Sequence, residues 1–63
     1  MLQNGEIVNL GTMFEHPTDG LIILLESVKF WTQETYKGYQ IFIINESRYR
    51  SFNCWYLGKC KKV

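Results

Sequence analysis

Gly20-Leu21-Ile22-Ile23-Leu24-Leu25-Glu26-Ser27-Val28-Lys29-Phe30-Trp31 is the stretch whose reading decides the fold. Two periodicities overlap in it. Leu21, Leu24, Leu25, Val28 and Trp31 follow a helical stripe. Ile22, Leu24, Val28 and Phe30 fall on one face of an extended strand, interrupted only by Glu26. Side-chain chemistry separates the two readings. Ile22, Ile23, Val28, Phe30, Trp31 and Thr32 are β-branched or aromatic, and such residues lose rotamer freedom in a helix while packing well on a pleated surface. The strand reading is preferred, with a bulge near Glu26-Ser27 that resets the alternation.

Working outward, Pro17-Thr18-Asp19-Gly20 closes the stretch on its N-terminal side as a turn. Proline presets φ at its second position and glycine suits its end. Upstream, Glu6-Ile7-Val8-Asn9-Leu10 lies between Gly5 and Gly11 and reads as a short strand, with Met13 and Phe14 closing over the core. Downstream, the polar run from Thr32 to Gly38 is a hairpin loop. Tyr39-Gln40-Ile41-Phe42-Ile43-Ile44 is the central strand, with Tyr39, Ile41 and Ile43 on one face. Phe42 and Ile44, on the other, are too apolar for open solvent. Asn45-Glu46-Ser47 is a second turn, Tyr49 to Tyr56 a fourth strand, Leu57-Gly58-Lys59 a tight turn and Cys60 to Val63 a closing strand. The expectation is an all-β chain of antiparallel strands without a helix, forming one domain over residues 1–63.

Composition agrees with a packed domain. The 63 residues are 46% hydrophobic and 16% aromatic, too apolar for a disordered tail. A chain this short buries only about 60% of the surface its unfolded form exposes, so several aromatics must stay near the surface. Formal charge is +1, which gives no overall attraction to nucleic acid or membrane. The longest apolar run, Leu21 to Leu25, falls far short of the roughly 20 residues needed to cross a bilayer. No signal peptide is recognisable, and Met1 reads as the start of a complete small gene product. No membrane partner and a reducing compartment are expected, and there Cys54 and Cys60 remain thiols.

Five short strands with a long first loop, a bent second strand and a tight final turn resemble an SH3-like barrel. The residues that carry the likeness are Gly5-Glu6-Ile7-Val8, Pro17 to Gly20, the strand Gly20 to Glu26, Gly38-Tyr39-Gln40-Ile41 and Trp55-Tyr56-Leu57. In these features the chain resembles small tailed-bacteriophage proteins with an SH3-like β-barrel. It departs from them in having Glu6 where an aspartate is common and Ile22 where a glycine is common. The resemblance implies a small five-stranded SH3-like barrel and a place in the virion or the host cytoplasm. It implies no activity, because that group shares none.

Catalysis needs convergent groups in a pocket, and the inventory is thin. His16 is the one histidine and sits in a turn. Glu26, Glu34 and Glu46 are dispersed, and the glycines are isolated rather than gathered in a phosphate loop. Cys54, Cys60 and His16 make at most three metal ligands at a spacing unlike a zinc site. The two thiols read as small core fillers, with a disulfide or a redox pair as the other readings. No enzyme activity, cofactor, metal or small-molecule substrate is expected.

Surface binding is left. Trp31, Tyr36, Tyr49 and Trp55 form a candidate protein-interface patch, and Phe42 and Ile44 add apolar surface that a 63-residue monomer cannot hide. The expected function is a protein-interaction or structural module, a virion or accessory protein that self-associates or docks on a larger assembly. The alternative is a nucleic-acid-binding barrel using Arg48, Tyr49, Arg50, Lys59, Lys61 and Lys62, where cations interleave with a stacking ring.

Overall fold

The computed structural model describes residues 2–32 and 38–63. Strands β1 (Ile7–Val8), β2 (Met13–His16), β3 (Gly20–Leu24), β4 (Val28–Lys29), β5 (Tyr39–Ile43), β6 (Arg48–Phe52) and β7 (Lys61–Lys62) are joined by one short helix, α1 (Cys54–Leu57). A five-stranded antiparallel sheet runs in the order β6-β5-β3-β2-β7, and β1 pairs with β4 in a separate antiparallel ribbon. All-β architecture with antiparallel pairing is therefore the observed class. The described strands form two sheets and do not close into a barrel.

Residues 20–31 are extended and not helical. The four side chains on the strand face, Ile22, Leu24, Val28 and Phe30, are all buried. Between β3 and β4 the chain breaks at Leu25–Ser27, where the bulge was expected. Leu25 N still donates to Gln40 O at 2.9 Å, but Gln40 N is taken by the Glu26 carboxylate, also at 2.9 Å. A side chain thus replaces the backbone acceptor at the end of the ladder. Released from β5, the strand continues as β4 and pairs with β1.

Within β5, Tyr39, Ile41 and Ile43 face the core as their alternation requires, while Phe42 is half-buried on the other side. The core cluster joins these residues to Val8, Phe14, Cys54, Tyr56 and Leu57. Gly20 holds φ at +78°, a left-handed conformation that favours glycine at the turn that starts β3.

Several expected boundaries change. The fourth strand ends at Phe52 rather than Tyr56, because Asn53 caps a helical turn: its side chain accepts from Tyr56 N at 3.2 Å. Cys54, Tyr56 and Leu57 are all buried, a spacing that one turn of helix satisfies and a period-two strand does not. The expectation of no helix is corrected accordingly. The first strand is shorter than Glu6–Leu10, since Leu10 is exposed; Met13 and Phe14 open β2, where Phe14 closes over the core as expected and Met13 is half-buried. The turn at 45–47 is a 3-10 turn over Ile44–Glu46, closed by Ser47 in the left-handed region. The closing strand shrinks to Lys61–Lys62. The loop expected over 32–38 lies mostly outside the described residues, and Tyr36 with it.

Candidate functional site

One corner of the fold gathers polar and aromatic groups into a single structure. The turn after β2 folds back so that Thr18 N and Asp19 N donate to His16 Nδ1 at 3.1 and 3.2 Å. These donors leave Nδ1 with a lone pair, so in the neutral ring the hydrogen sits on Nε2. The ring lies flat on Tyr56, with centroids 4.2 Å apart, and Tyr56 in turn stacks on Phe52 at 3.9 Å. The Arg50 guanidinium caps the column 5.1 Å from the Phe52 centroid. Tyr56 O–H donates to Asp19 Oδ2 at 2.7 Å. Burial first, then this bond to a carboxylate, pushes the phenol well above its ordinary range. His16 was expected as a solvated turn residue, and it is only 9% exposed. A local signal existed, since a side-chain acceptor just before Pro-Thr-Asp can cap the turn's N–H groups. The stacking on Tyr56, 40 positions away in the chain, had none.

Beside this corner opens a cleft of about 320 Å³ lined by Glu15, His16, Pro17, Lys59 and Lys61. It draws on β2, on the loop after α1 and on β7, which the Glu15↔Lys61 pairing brings together.

A second feature is a row across the sheet on the side away from the core. Met13 pairs with Ile23, Ile23 with Phe42, and Phe42 with Tyr49, so one apolar line crosses β2, β3, β5 and β6. Phe42 and Tyr49 meet edge to face with centroids 4.9 Å apart. Tyr49 itself is 71% exposed. Beyond Tyr49, the side of β6 away from β5 has no backbone hydrogen bond among the described residues.

The remaining interface candidates are dispersed. Trp55 is 58% exposed on α1, with Lys59 Nζ 3.7 Å over its ring. Trp31 is 45% exposed at the end of the β1–β4 ribbon, beside Gly5. No ring contact among the described residues joins either tryptophan to the Phe42–Tyr49 pair. Ile44 is half-buried in the 3-10 turn.

The cation-rich set also separates. Tyr49 pairs with Phe42 on the outer face, whereas Arg48 and Arg50 pair with Ile43 and Ile41, whose side chains face the core. Strand alternation thus sets the ring and the two guanidinium groups on opposite sides. Arg48 Nε lies 3.2 Å from Glu46, and Lys62 Nζ lies 2.9 Å from Glu6. Lys61 has no ion-pair partner among the described residues.

Cys54 is buried, Cys60 half-buried, and both are free thiols. Cys60 Sγ donates to Tyr56 O at 3.6 Å, and burial, with the Asp19 charge second, pushes its pKa up to about 11. A thiol so held is a poor nucleophile at neutral pH. The described residues contain no cluster of three or more His, Cys, Asp or Glu placed to hold a metal, and no helix long and apolar enough to cross a membrane.

No family model, no curated protein and no solved structure matches this chain.

Proposed function

We propose that this chain is a non-enzymatic protein-interaction or structural module that docks through β6 and the apolar row ending at Tyr49. The observation that carries the reading is the outer edge of β6, five residues long and exposed at four of them, which makes no backbone hydrogen bond among the described residues. An edge of that length is a template on which a partner strand adds main-chain hydrogen bonds. The exposed ring of Tyr49 supplies an anchor and the Arg48 and Arg50 side chains bias the choice of partner. The architecture we infer is SH3-like. Its support is the strand order: β7 lies beside β2, the first strand of the large sheet, and the strand after β2 bends sharply at Leu25–Ser27. A virion or phage accessory assembly, in which the chain meets a second copy or a larger protein, is the setting that this architecture and the sequence resemblance favour.

Light scattering after size exclusion, across a wide concentration range, tests the self-association arm, and chemical cross-linking within its native assembly tests docking. Tyr49→Lys places a third cation between Arg48 and Arg50 at an exposed site. It should cost about 1 kcal/mol of stability, the worth of the lost edge-to-face contact with Phe42, while abolishing either association. A chain that stays monomeric throughout and forms no cross-link through β6 tells against the reading.

The nucleic-acid alternative is less favoured, since its ring and its arginines point apart. It predicts salt-dependent retention of a single-stranded oligonucleotide, reduced by Arg48→Ala with Arg50→Ala.

A further inference from the structure

Resting on the docking role of β6, we propose that its partner is an extended segment of another protein with acidic–apolar–acidic alternation, added to β6 as a further strand. The register fixes which main-chain groups are offered. Gln40 uses its carbonyl for Leu25 N and its N–H for the Glu26 carboxylate, both at 2.9 Å and both on the β3 side. In an antiparallel ladder each residue turns its N–H and C=O to the same neighbour, and successive residues turn to opposite neighbours. The pairs Gln40–Ser51 and Phe42–Tyr49 therefore exchange no backbone bonds. Tyr49 and Ser51 aim their N–H and C=O groups away from β5, where no described residue takes them. A strand laid along this edge meets those groups in line.

Side-chain order selects the composition of that strand. Arg48 and Arg50 lie on the core side of β6 and Tyr49 on the outer side, and all three are exposed. Residues directly opposite share a face of the sheet, where opposite charges attract and like charges repel. The incoming strand thus meets cation, ring, cation. An acidic residue opposite each arginine and an apolar one opposite Tyr49 complement it, and the apolar residue prolongs the row from Met13 through Ile23 and Phe42. The pattern reads the same in both directions, so it holds for a parallel or an antiparallel strand. Glu46 lies 3.2 Å from Arg48, but both side chains are exposed, and such a pair exchanges partners at little cost. A second copy does not supply the pattern. None of the chain's six acidic residues stands two positions from another. Antiparallel pairing of β6 with itself about Tyr49 sets Arg48 against Arg50, and pairing about Arg50 sets that residue against itself. The other edge of the sheet, β7, is Lys61-Lys62. Like charge keeps copies apart at both edges and favours an acidic strand as the occupant.

Amide exchange at Tyr49 and Ser51, followed by NMR during titration with blocked peptides, reads this edge directly. The probes are acetyl-Thr-Glu-Val-Glu-Thr-amide and its analogues with Gln or Lys at both Glu positions. The Glu peptide should slow exchange at both amides saturably and bind about tenfold more tightly than the Gln peptide, the worth of two cross-strand ion pairs. The Lys peptide should not bind. Arg48→Glu with Arg50→Glu should reverse the preference in favour of the Lys peptide. If that variant fails to fold, Arg48→Gln with Arg50→Gln should erase the difference between the Glu and Gln peptides. Equal protection by all three peptides would overturn the charge pattern and leave edge docking standing, whereas protection by none would overturn edge docking as well. Protection that grows with protein concentration in the absence of peptide would make the occupant a second copy and overturn the proposal. A single-stranded oligonucleotide that binds the same arginines more tightly than the Glu peptide would assign them to nucleic acid and overturn it too.

Discussion

The aliphatic centre of the sheet and the polar corner beside it are held by different physics. Across β3 and β5, Ile22, Leu24, Ile41 and Ile43 are shut from water and belong to one apolar core cluster. Their attraction is non-directional and scales with buried area. At the corner, His16, Asp19, Phe52 and Tyr56 are held by stacked rings and by directional hydrogen bonds that end on His16 Nδ1 and Asp19 Oδ2. The centre should therefore tolerate a change of shape at constant volume and fail when a hole is opened. At the corner, loss of one donor matters more than loss of volume.

Leu24→Ala is the largest expected effect. Removing a fully buried leucine costs about 3 kcal/mol, and a domain of this size has only a few kcal/mol in hand. The variant should be largely unfolded, with its urea midpoint near zero. Leu24→Met conserves volume and should lose less than about 1.5 kcal/mol. If the two variants melt alike, volume is not what the centre depends on.

Tyr56→Phe removes the bond to Asp19 while retaining both stacks, and should cost about 1 kcal/mol by urea denaturation. Combined with Asp19→Ala the losses should not add, because both substitutions break the same bond. Strict additivity would mean that the corner is not a coupled unit. Asn53→Ala removes the cap of α1, which sets Tyr56 in place, and should also cost about 1 kcal/mol.

Alkaline pH sharpens the contrast further. Burial raises both the Cys60 thiol, to about 11 from its ordinary 9.0, and the Tyr56 phenol. In the unfolded chain these groups release their protons first, so above pH 9.0 the folded state binds more protons. Stability is full below that pH and falls as pH rises toward about 11. Urea midpoints across this window should decline, and Cys60→Ala should flatten the first part of the decline.

The smallest effect belongs to the exposed Glu6–Lys62 pair. The Gln3 backbone N–H, and then Lys62, hold the Glu6 carboxyl below its usual value. A folded-state pKa lowered in this way stabilises above the unfolded value, and the gain disappears as pH falls through the folded one. Lys62→Gln should change the acid limb of the melting profile slightly, and only at low salt.

How much of this was legible in the residues differs along the chain. The alternation of Ile22, Leu24, Val28 and Phe30, and of Tyr39, Ile41 and Ile43, is a local pattern that any half-buried strand must show. It correctly named residues now in the core. The C-terminal third was read less well. From 49 to 56 the aromatic alternation suggested a strand throughout, but Asn53 at a cap position was a competing local signal, and burial of Tyr56 and Leu57 together settled it for helix. Of the interface candidates, Phe42 and Tyr49 meet because the β5–β6 register sets them opposite each other. That register depends on the whole sheet and not on either strand.

Taken alone, the sequence determined the class, the turn at Pro17–Gly20 and the inward-facing residues of the two central strands, because side-chain period and turn chemistry act over a few neighbours. Tertiary structure decided where the bent strand leaves one sheet for the other, which strands end the large sheet, and which groups surround His16. Those outcomes depend on contacts between residues far apart in the chain, such as Glu26 with Gln40, Glu15 with Lys61 and His16 with Tyr56. No periodicity along a single segment encodes them.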